Sequence, residues 1–251
     1  MRRLAAALAV AATLLAACGS APPKRIDPDS VPDAIPRAEP RSQRGNPASS
    51  EVFGKRYHVL ATADGYRERG IASWYGPDFH GGNTSSGERY DMYAMTAAHK
   101  TLPIPSYVRV TNLANGRSVV VRVNDRGPFK KGRIVDLSYV AAAKLDMIRD
   151  GTATVEVVAV GPGLADPPVL AAPAARLFAQ AGAFADERNA RQLADRLQAA
   201  GITQVVVDTV KASGRDLFRV RVGPLSSVAS YDALVDQMRG AGFDHVMLAL
   251  D

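Results

Sequence analysis

Apolar and polar residues alternate along Tyr107 to Thr111 and again along Ser118 to Val123, and Asn115-Gly116 between them tolerates positive φ. This pattern predicts two strands joined by a tight hairpin turn. Thr154 to Val160 reads as a further strand. Leu137, Val140, Ala141, Leu145 and Ile148 recur at helical spacing behind Ser138, a suitable N-cap. They mark one short amphipathic helix. Several short strands around a single helix predict a small all-β barrel.

Further along, the pattern changes. Leu177 to Ala181 is a short strand, and Asp186 can cap a helix whose stripe is Ala190, Leu193, Ala194 and Leu197, ended by Gly201. Strands over Gln204 to Val210 and Leu217 to Val222 follow, then a helix through Leu234 and Met238 to Gly240, and a last strand from Val246 to Leu250. The order β-α-β-β-α-β is that of ferredoxin-like α+β domains. It also fits an RNA-recognition fold, but Leu217 to Val222 lacks the aromatic pair that stacks bases.

The ends of these segments set the domain boundaries. Arg2 and Arg3 precede an uncharged apolar run from Leu4 to Ala17, too short to span a bilayer as a mature helix. Residues 1–17 therefore read as a cleaved secretion signal. Leu15-Ala16-Ala17-Cys18 resembles the bacterial lipobox, whose cysteine is acylated after cleavage. Gly19 rather than Asp behind Cys18 points to sorting to the outer membrane. Residues 18–50 hold seven of the sixteen prolines. They are expected to form an extended tether unable to bury a core, with a reach of roughly 100 Å. A second proline-rich stretch, 161–175, separates a barrel domain over 51–160 from an α+β domain over 176–251.

Composition narrows the partners. Cys18 is the chain's one cysteine, so no internal disulfide forms and packing must hold both domains. Formal charge falls from +6 to +4 once Arg2 and Arg3 leave, which suits a polyanion of the envelope, cell wall or lipid headgroups rather than nucleic acid. Four scattered histidines give no metal-ligand spacing, and no phosphate loop or nucleophile elbow appears. No cofactor or metal is expected.

The candidate chemistry is carboxylate chemistry. Glu88 lies in the polar, glycine-rich run from Gly81 to Asp91, near Tyr90 and His99, and Asp125 closes a strand just before Arg126-Gly127-Pro128. If the two loops meet at one barrel end, one carboxyl group can protonate a glycosidic oxygen while the other steadies a cationic sugar. Trp74 and Tyr75 offer flat faces for sugar rings. Plainer roles stand beside these: Glu88 as a solvated loop acid, Asp125 as a turn former or partner of Arg126, and Asp136 as a backbone acceptor at a helix start. His99 would bond its own loop, and Trp74 would be part core, part groove wall.

Taken together, Gly70 to Gly76, Thr84 to Asp91, Met95 to Pro103, Val108 to Asn112, Val123 to Phe129 and Arg133 to Ser138 resemble the double-psi β-barrel of the rare lipoprotein A family. Phe178 to Phe184 and Phe218 to Pro224 resemble a SPOR domain. The resemblance implies a lytic transglycosylase of the division septum, cutting the β-1,4 bond between N-acetylmuramic acid and N-acetylglucosamine to leave a 1,6-anhydro end. It implies Glu88 as acid and then base, Asp125 as the ionised stabiliser, His99 as a neighbour in the same groove, and Trp74, Tyr75 and Arg126 as supports. Related barrels in expansins and some cellulases place their aspartate where Asp136 stands, which makes Asp136 the substitute candidate. The SPOR domain would bind glycan strands stripped of stem peptides through Gln180, Arg219 and Arg221, with division-site proteins as further partners. A non-catalytic, expansin-like wall binder and an exported scaffold are the rival expectations.

Overall fold

The computed structural model describes residues 26–162, 175–212 and 214–251. The signal sequence, Cys18 with its lipobox, and linker residues 163–174 lie outside the described residues. In chain order the elements are β1 (Ser49–Val52), β2 (Lys55–His58), β3 (Arg67–Trp74), β4 (Thr96–His99), β5 (Ser106–Asn112), β6 (Ser118–Asp125) and β7 (Arg133–Leu137). They continue with α1 (Tyr139–Lys144), β8 (Thr152–Val160), β9 (Leu177–Phe184), α2 (Glu187–Ala199), β10 (Val205–Ala212), β11 (Arg215–Leu225), α3 (Val228–Gly240) and β12 (Met247–Leu250).

Strands β3 to β8 close into a barrel in the order β3-β7-β4-β6-β5-β8. The expected hairpin is present as β5 and β6, with Gly116 at φ +75° in its turn. The β3/β7 and β4/β6 pairs are parallel and the remaining barrel pairs antiparallel, the arrangement of a double-psi barrel. The alternation read in the sequence fills the interior: Val108, Val110, Val119, Val121, Val123, Val135, Leu137, Val155 and Val157 are all buried in one cluster. Ser138 caps α1, its hydroxyl accepting from the Ala141 amide at 3.3 Å.

The proline-rich segment departs from the expected free tether. From residue 26 it lies along the barrel as a strap. Its prolines keep it extended, so ordering it against a surface takes less entropy than ordering a flexible chain. Val31 and Ala34 pack on the barrel core, Ala34 N–H donates to the Val120 carbonyl at 3.0 Å, and Asp33 accepts from the Val120 amide at 2.8 Å. Asp33 also pairs with Lys144.

The C-terminal domain has the predicted order, with strands arranged β10-β11-β9-β12 and both helices packed on one face. Asp186 caps α2, accepting from the Arg188 amide at 2.8 Å, and Gly201 follows the helix at φ +79°. The two domains touch. Ile71 of β3 joins the C-terminal apolar cluster, and Arg133, 2% exposed, donates to Asp232 of α3 at 2.6 Å. Removing one partner of a buried pair costs about 3–5 kcal/mol when the other charge stays buried. Undocking avoids that by returning Arg133 to water. Asp232→Ala is therefore expected to separate the domains without unfolding either, seen as a larger radius of gyration in X-ray scattering with both unfolding transitions retained.

Candidate active site

A backbone irregularity builds the site. Ala97 of β4 pairs with Val123 of β6, but Ala98 pairs with Asp125, so Asn124 is an extra residue. Such a β-bulge re-aims the residue after it. Val123 points into the barrel and Asp125 turns to the outer face beside Ala98. On the other edge of β4, Ala98 pairs with Asp136 of β7, and Asp136 pairs in turn with Ser73 of β3. Directly paired residues share a face, so Ser73, Asp136, Ala98 and Asp125 form one row across four strands. The two aspartates are two strand spacings apart, about 10 Å at Cα. In that row Ala98 stands between them. Gly127, at φ +144°, roofs this gap: a Cβ there would sit 3.7 Å from that of Ala98 and 3.9 Å from Asp136 Oδ2.

The two carboxyl groups have different surroundings. Oδ1 of Asp125 accepts from the Ser85 amide at 2.8 Å, the Ser85 hydroxyl at 2.6 Å and the Arg126 amide at 2.7 Å, while Oδ2 accepts from the Tyr75 hydroxyl at 3.1 Å. That is a setting for an anion. Asp136 has the Ser73 hydroxyl on Oδ1. Burial raises its carboxyl above the usual aspartate value, against the Ser73 hydrogen bond and the positive charges of Lys100 and Arg133, with the Asp125 charge adding to the rise. Tyr75 bridges the pair electrostatically, since burial and then both aspartates push its phenol upward.

Glu88 flanks Asp125 along β6. It accepts from Arg122 at 2.9 Å on both oxygens and from Asn124 at 2.8 Å, and its side chain is 44% exposed. The expected pair of Glu88 and Asp125 is thus gathered at one strand end by the 84–88 loop. However, Asp136 shares a row with Asp125, which Glu88 does not. The local reading of Asp136 as a helix-start acceptor is corrected: Ser138 caps α1, and Asp136 faces Ser73.

His99 differs from the expected groove neighbour. It is 2% exposed and follows Ala98 on β4, so its side chain takes the barrel face opposite the aspartates. Nδ1 accepts from the Leu102 amide at 3.0 Å, and Nε2 lies 2.8 Å from the Tyr66 hydroxyl. With Tyr66 donating to Glu68, this bonding fixes a neutral imidazole protonated on Nε2. Burial then holds its pKa down at about 3, so His99 braces the fold rather than titrating.

Arg126 is likewise a brace. Its guanidinium donates to the carbonyls of Gly45, His99 and Leu102 and to Asn46 Oδ1, at 2.6, 3.0, 2.5 and 3.0 Å. Tyr75 packs against Tyr90 and Phe79 at ring separations of 5.0 and 5.7 Å, and Phe79 is 60% exposed. Trp74 packs on the core and edge-on to Tyr139 at 5.7 Å. Tyr90 and Phe79 had no assigned role from sequence, although their place in the loop beside Tyr75 was the available signal. Among the described residues no group of three or more His, Cys, Asp or Glu is placed to hold a metal ion.

In the C-terminal domain Gln180, Arg219 and Arg221 lie on the sheet face away from the helices, with Gln180 paired to Arg221. The arginines are not the free cations expected for a sugar carboxylate. Arg219 donates to Asp208 at 2.6 Å, and Arg221 pairs with both Asp208 and Asp251 while lying 4.3 Å from the Phe178 ring centre.

Comparison with known proteins identifies relatives for both domains. A family model described as "Lytic transglycolase" matches residues 67–157, and a SPOR domain model matches residues 173–249. The chain is 37% identical over 273 residues to "Endolytic peptidoglycan transglycosylase RlpA" of Pseudomonas aeruginosa strain UCBPP-PA14, covering 86% of this chain and 80% of that protein. It is 43% identical over 197 residues to the protein of the same name from Vibrio cholerae, covering 78% of this chain and 73% of that one. The crystal structure of the RlpA SPOR domain from Pseudomonas aeruginosa is 30% identical, with a TM-score of 0.28 over 29% of this chain and 96% of that one.

Proposed function

This chain belongs to the RlpA family, and we propose that it is an endolytic lytic transglycosylase that cuts the β-1,4 bond between N-acetylmuramic acid and N-acetylglucosamine in peptidoglycan. The observation that carries this reading is the Asp125 and Asp136 pair across Ala98, one carboxyl ringed by donors and the other raised by burial. Asp136 is the proton donor. With Oδ1 taken by Ser73, Oδ2 on the Gly127 side holds the proton that passes to the leaving glycosidic oxygen. As that C–O bond breaks, positive charge grows on the muramyl C1 and ring oxygen, and the Asp125 anion stabilises it. The muramyl 6-hydroxyl then attacks C1 and gives its proton to the Asp136 carboxylate. One C–O bond is lost, one is formed, no water is consumed and the enzyme regains its proton.

The donor role moves from Glu88 to Asp136 for a physical reason. Glu88 is gripped on both oxygens by Arg122 and by Asn124, which suits positioning better than proton delivery. The exposed ring of Phe79 beside Tyr75 gives sugar rings an apolar platform. The C-terminal domain holds the enzyme on the wall through the sheet face of Gln180, Arg219 and Arg221, by hydrogen bonding more than free charge. The chain works in the cell envelope, with Cys18 as lipid anchor in the outer membrane and the septum as its place of action.

The test is direct. The chain is incubated with purified glycan strands and the ends are read by mass spectrometry. Release of 1,6-anhydro ends is expected. Ordinary reducing ends would make water the nucleophile, and no new ends would leave a wall-binding lipoprotein that does not cut.

A further inference from the structure

We propose that Glu39, on the proline-rich strap, is a positioning residue for the reaction: it fixes Arg122 and thereby the 84–88 loop that binds Asp125. The proposal rests on the functional reading above, since it takes Asp125 as the anion of the site.

Three contacts tie the strap to that loop. First, Arg122 is shared between two carboxylates. Nε and Nη2 form a two-pronged pair with Glu39 at 3.0 and 2.9 Å, which leaves Nη1 aimed at Glu88, 2.9 Å from each of its oxygens. The Glu39 and Arg122 side chains are 16% and 19% exposed, so this pair is shielded from the solvent screening that weakens surface pairs. The Tyr107 hydroxyl donates to Glu39 as well. Hydrogen bonds, those from Arg122 foremost, hold the Glu39 carboxyl down at about 2, so it is charged at neutral pH.

Second, the strap backbone lies against Ser85. Gly45 adopts φ +76°, and a Cβ there would come 3.0 Å from the Ser85 carbonyl oxygen and 3.1 Å from its carbon. Third, Arg126 joins both sides. Its amide donates to Asp125 Oδ1 and lies 3.2 Å from the Ser85 hydroxyl, while its side chain holds the Gly45 carbonyl and Asn46. Asn46 is itself locked to β5's approach, donating to the Ile104 carbonyl at 2.7 Å and accepting from the Ile104 amide at 2.8 Å.

Ser85 supplies two of the three donors on Asp125 Oδ1, so its placement decides where that anion sits. A shift of about 1 Å in such a group can lower a rate by about a hundredfold. The strap is therefore part of the site through the loop it holds.

The experiment uses the full chain with Glu39→Gln, Glu39→Asp and Gly45→Ala. Glu39→Gln is expected to lower kcat about tenfold with KM within about twofold, and Glu39→Asp, which keeps the charge, to regain most of the rate. Gly45→Ala pushes on Ser85 without touching a charge and is expected to lower kcat similarly. Amide exchange provides a readout independent of catalysis: the Ser85 and Ser86 amides should exchange about tenfold faster in Glu39→Gln while those of β5 and β8 do not change. Uniform acceleration across the barrel, or no change at Ser85 and Ser86, would overturn the proposal. A chain that releases no anhydro ends refutes the functional reading, and the exchange pattern still decides whether Glu39 orders the loop.

Discussion

Asp136→Asn is expected to lower the release of 1,6-anhydro ends by about a hundredfold or more while raising thermal stability. The rate loss follows from removing the proton donor, a contribution of about 10²–10⁴ in rate for a well-placed acid. The stability gain follows from the direction of its shift. Burial raises the folded-state carboxyl above its unfolded value, so the favourable contribution of this group is complete below the unfolded value and fades as pH rises through the folded one. As pH rises above the unfolded value the wild-type fold loses stability, because burial opposes ionisation of this carboxyl and so adds a penalty. Asparagine carries none, and its carbonyl can still accept from Ser73. The same ionisation sets the alkaline limb of the rate profile, because activity is lost as Asp136 gives up its proton to solvent. Kinetics on glycan strands at several pH values, with calorimetry on the same samples, check both halves. A fully active Asp136→Asn beside an inactive Glu88→Gln would return the donor role to Glu88.

The C-terminal domain was legible in the sequence because its signals are local. Asp186 and Gly201 mark the ends of α2, and the alternation in β10 and β11 needs no knowledge of partners. The hairpin of β5 and β6 was legible for the same reason. The barrel's closure was not. β4 is four residues long and rich in alanine, and its partners β6 and β7 are distant in the chain, so no periodicity announces it. The bulge at Asn124 is a register event between two strands, invisible in either alone, yet it alone turns Asp125 outward. A sound local rule gave Asp136 a plainer role beside its place as substitute candidate, since an acid just before a helix usually serves its backbone. Here pairing with Ser73 and Ala98 overrode that rule. The strap was misread through composition. Seven prolines exclude a core, but they do not exclude an extended segment that borrows the barrel's polar edges.

Asp125→Asn is expected to lower kcat by about 10²–10³ and, unlike Asp136→Asn, to lower stability as well. Asp125 Oδ1 receives three donors and Oδ2 receives the Tyr75 hydroxyl. An amide has one acceptor oxygen and one donor nitrogen, so whichever way it is turned, a donor meets a donor. If the oxygen keeps the three donors, the nitrogen faces Tyr75, whose hydroxyl must then rotate to accept. If it turns the other way, the Ser85 and Arg126 amides are left facing an NH2 group. The second breaks the loop's hold and the first weakens it by making the acceptor neutral, and both remove the negative charge that the sugar cation meets. The two aspartates thus make opposite demands on the fold: burial opposes a charge on Asp136, while the donors around Asp125 favour one. Because they act on one transition state, the double variant should be little slower than the slower single one, while its unfolding midpoint lies between the two. A drop in midpoint with kcat unchanged would make Asp125 a loop anchor with no part in catalysis, and the measurement separating these outcomes is single-turnover cleavage at a temperature well below both transitions.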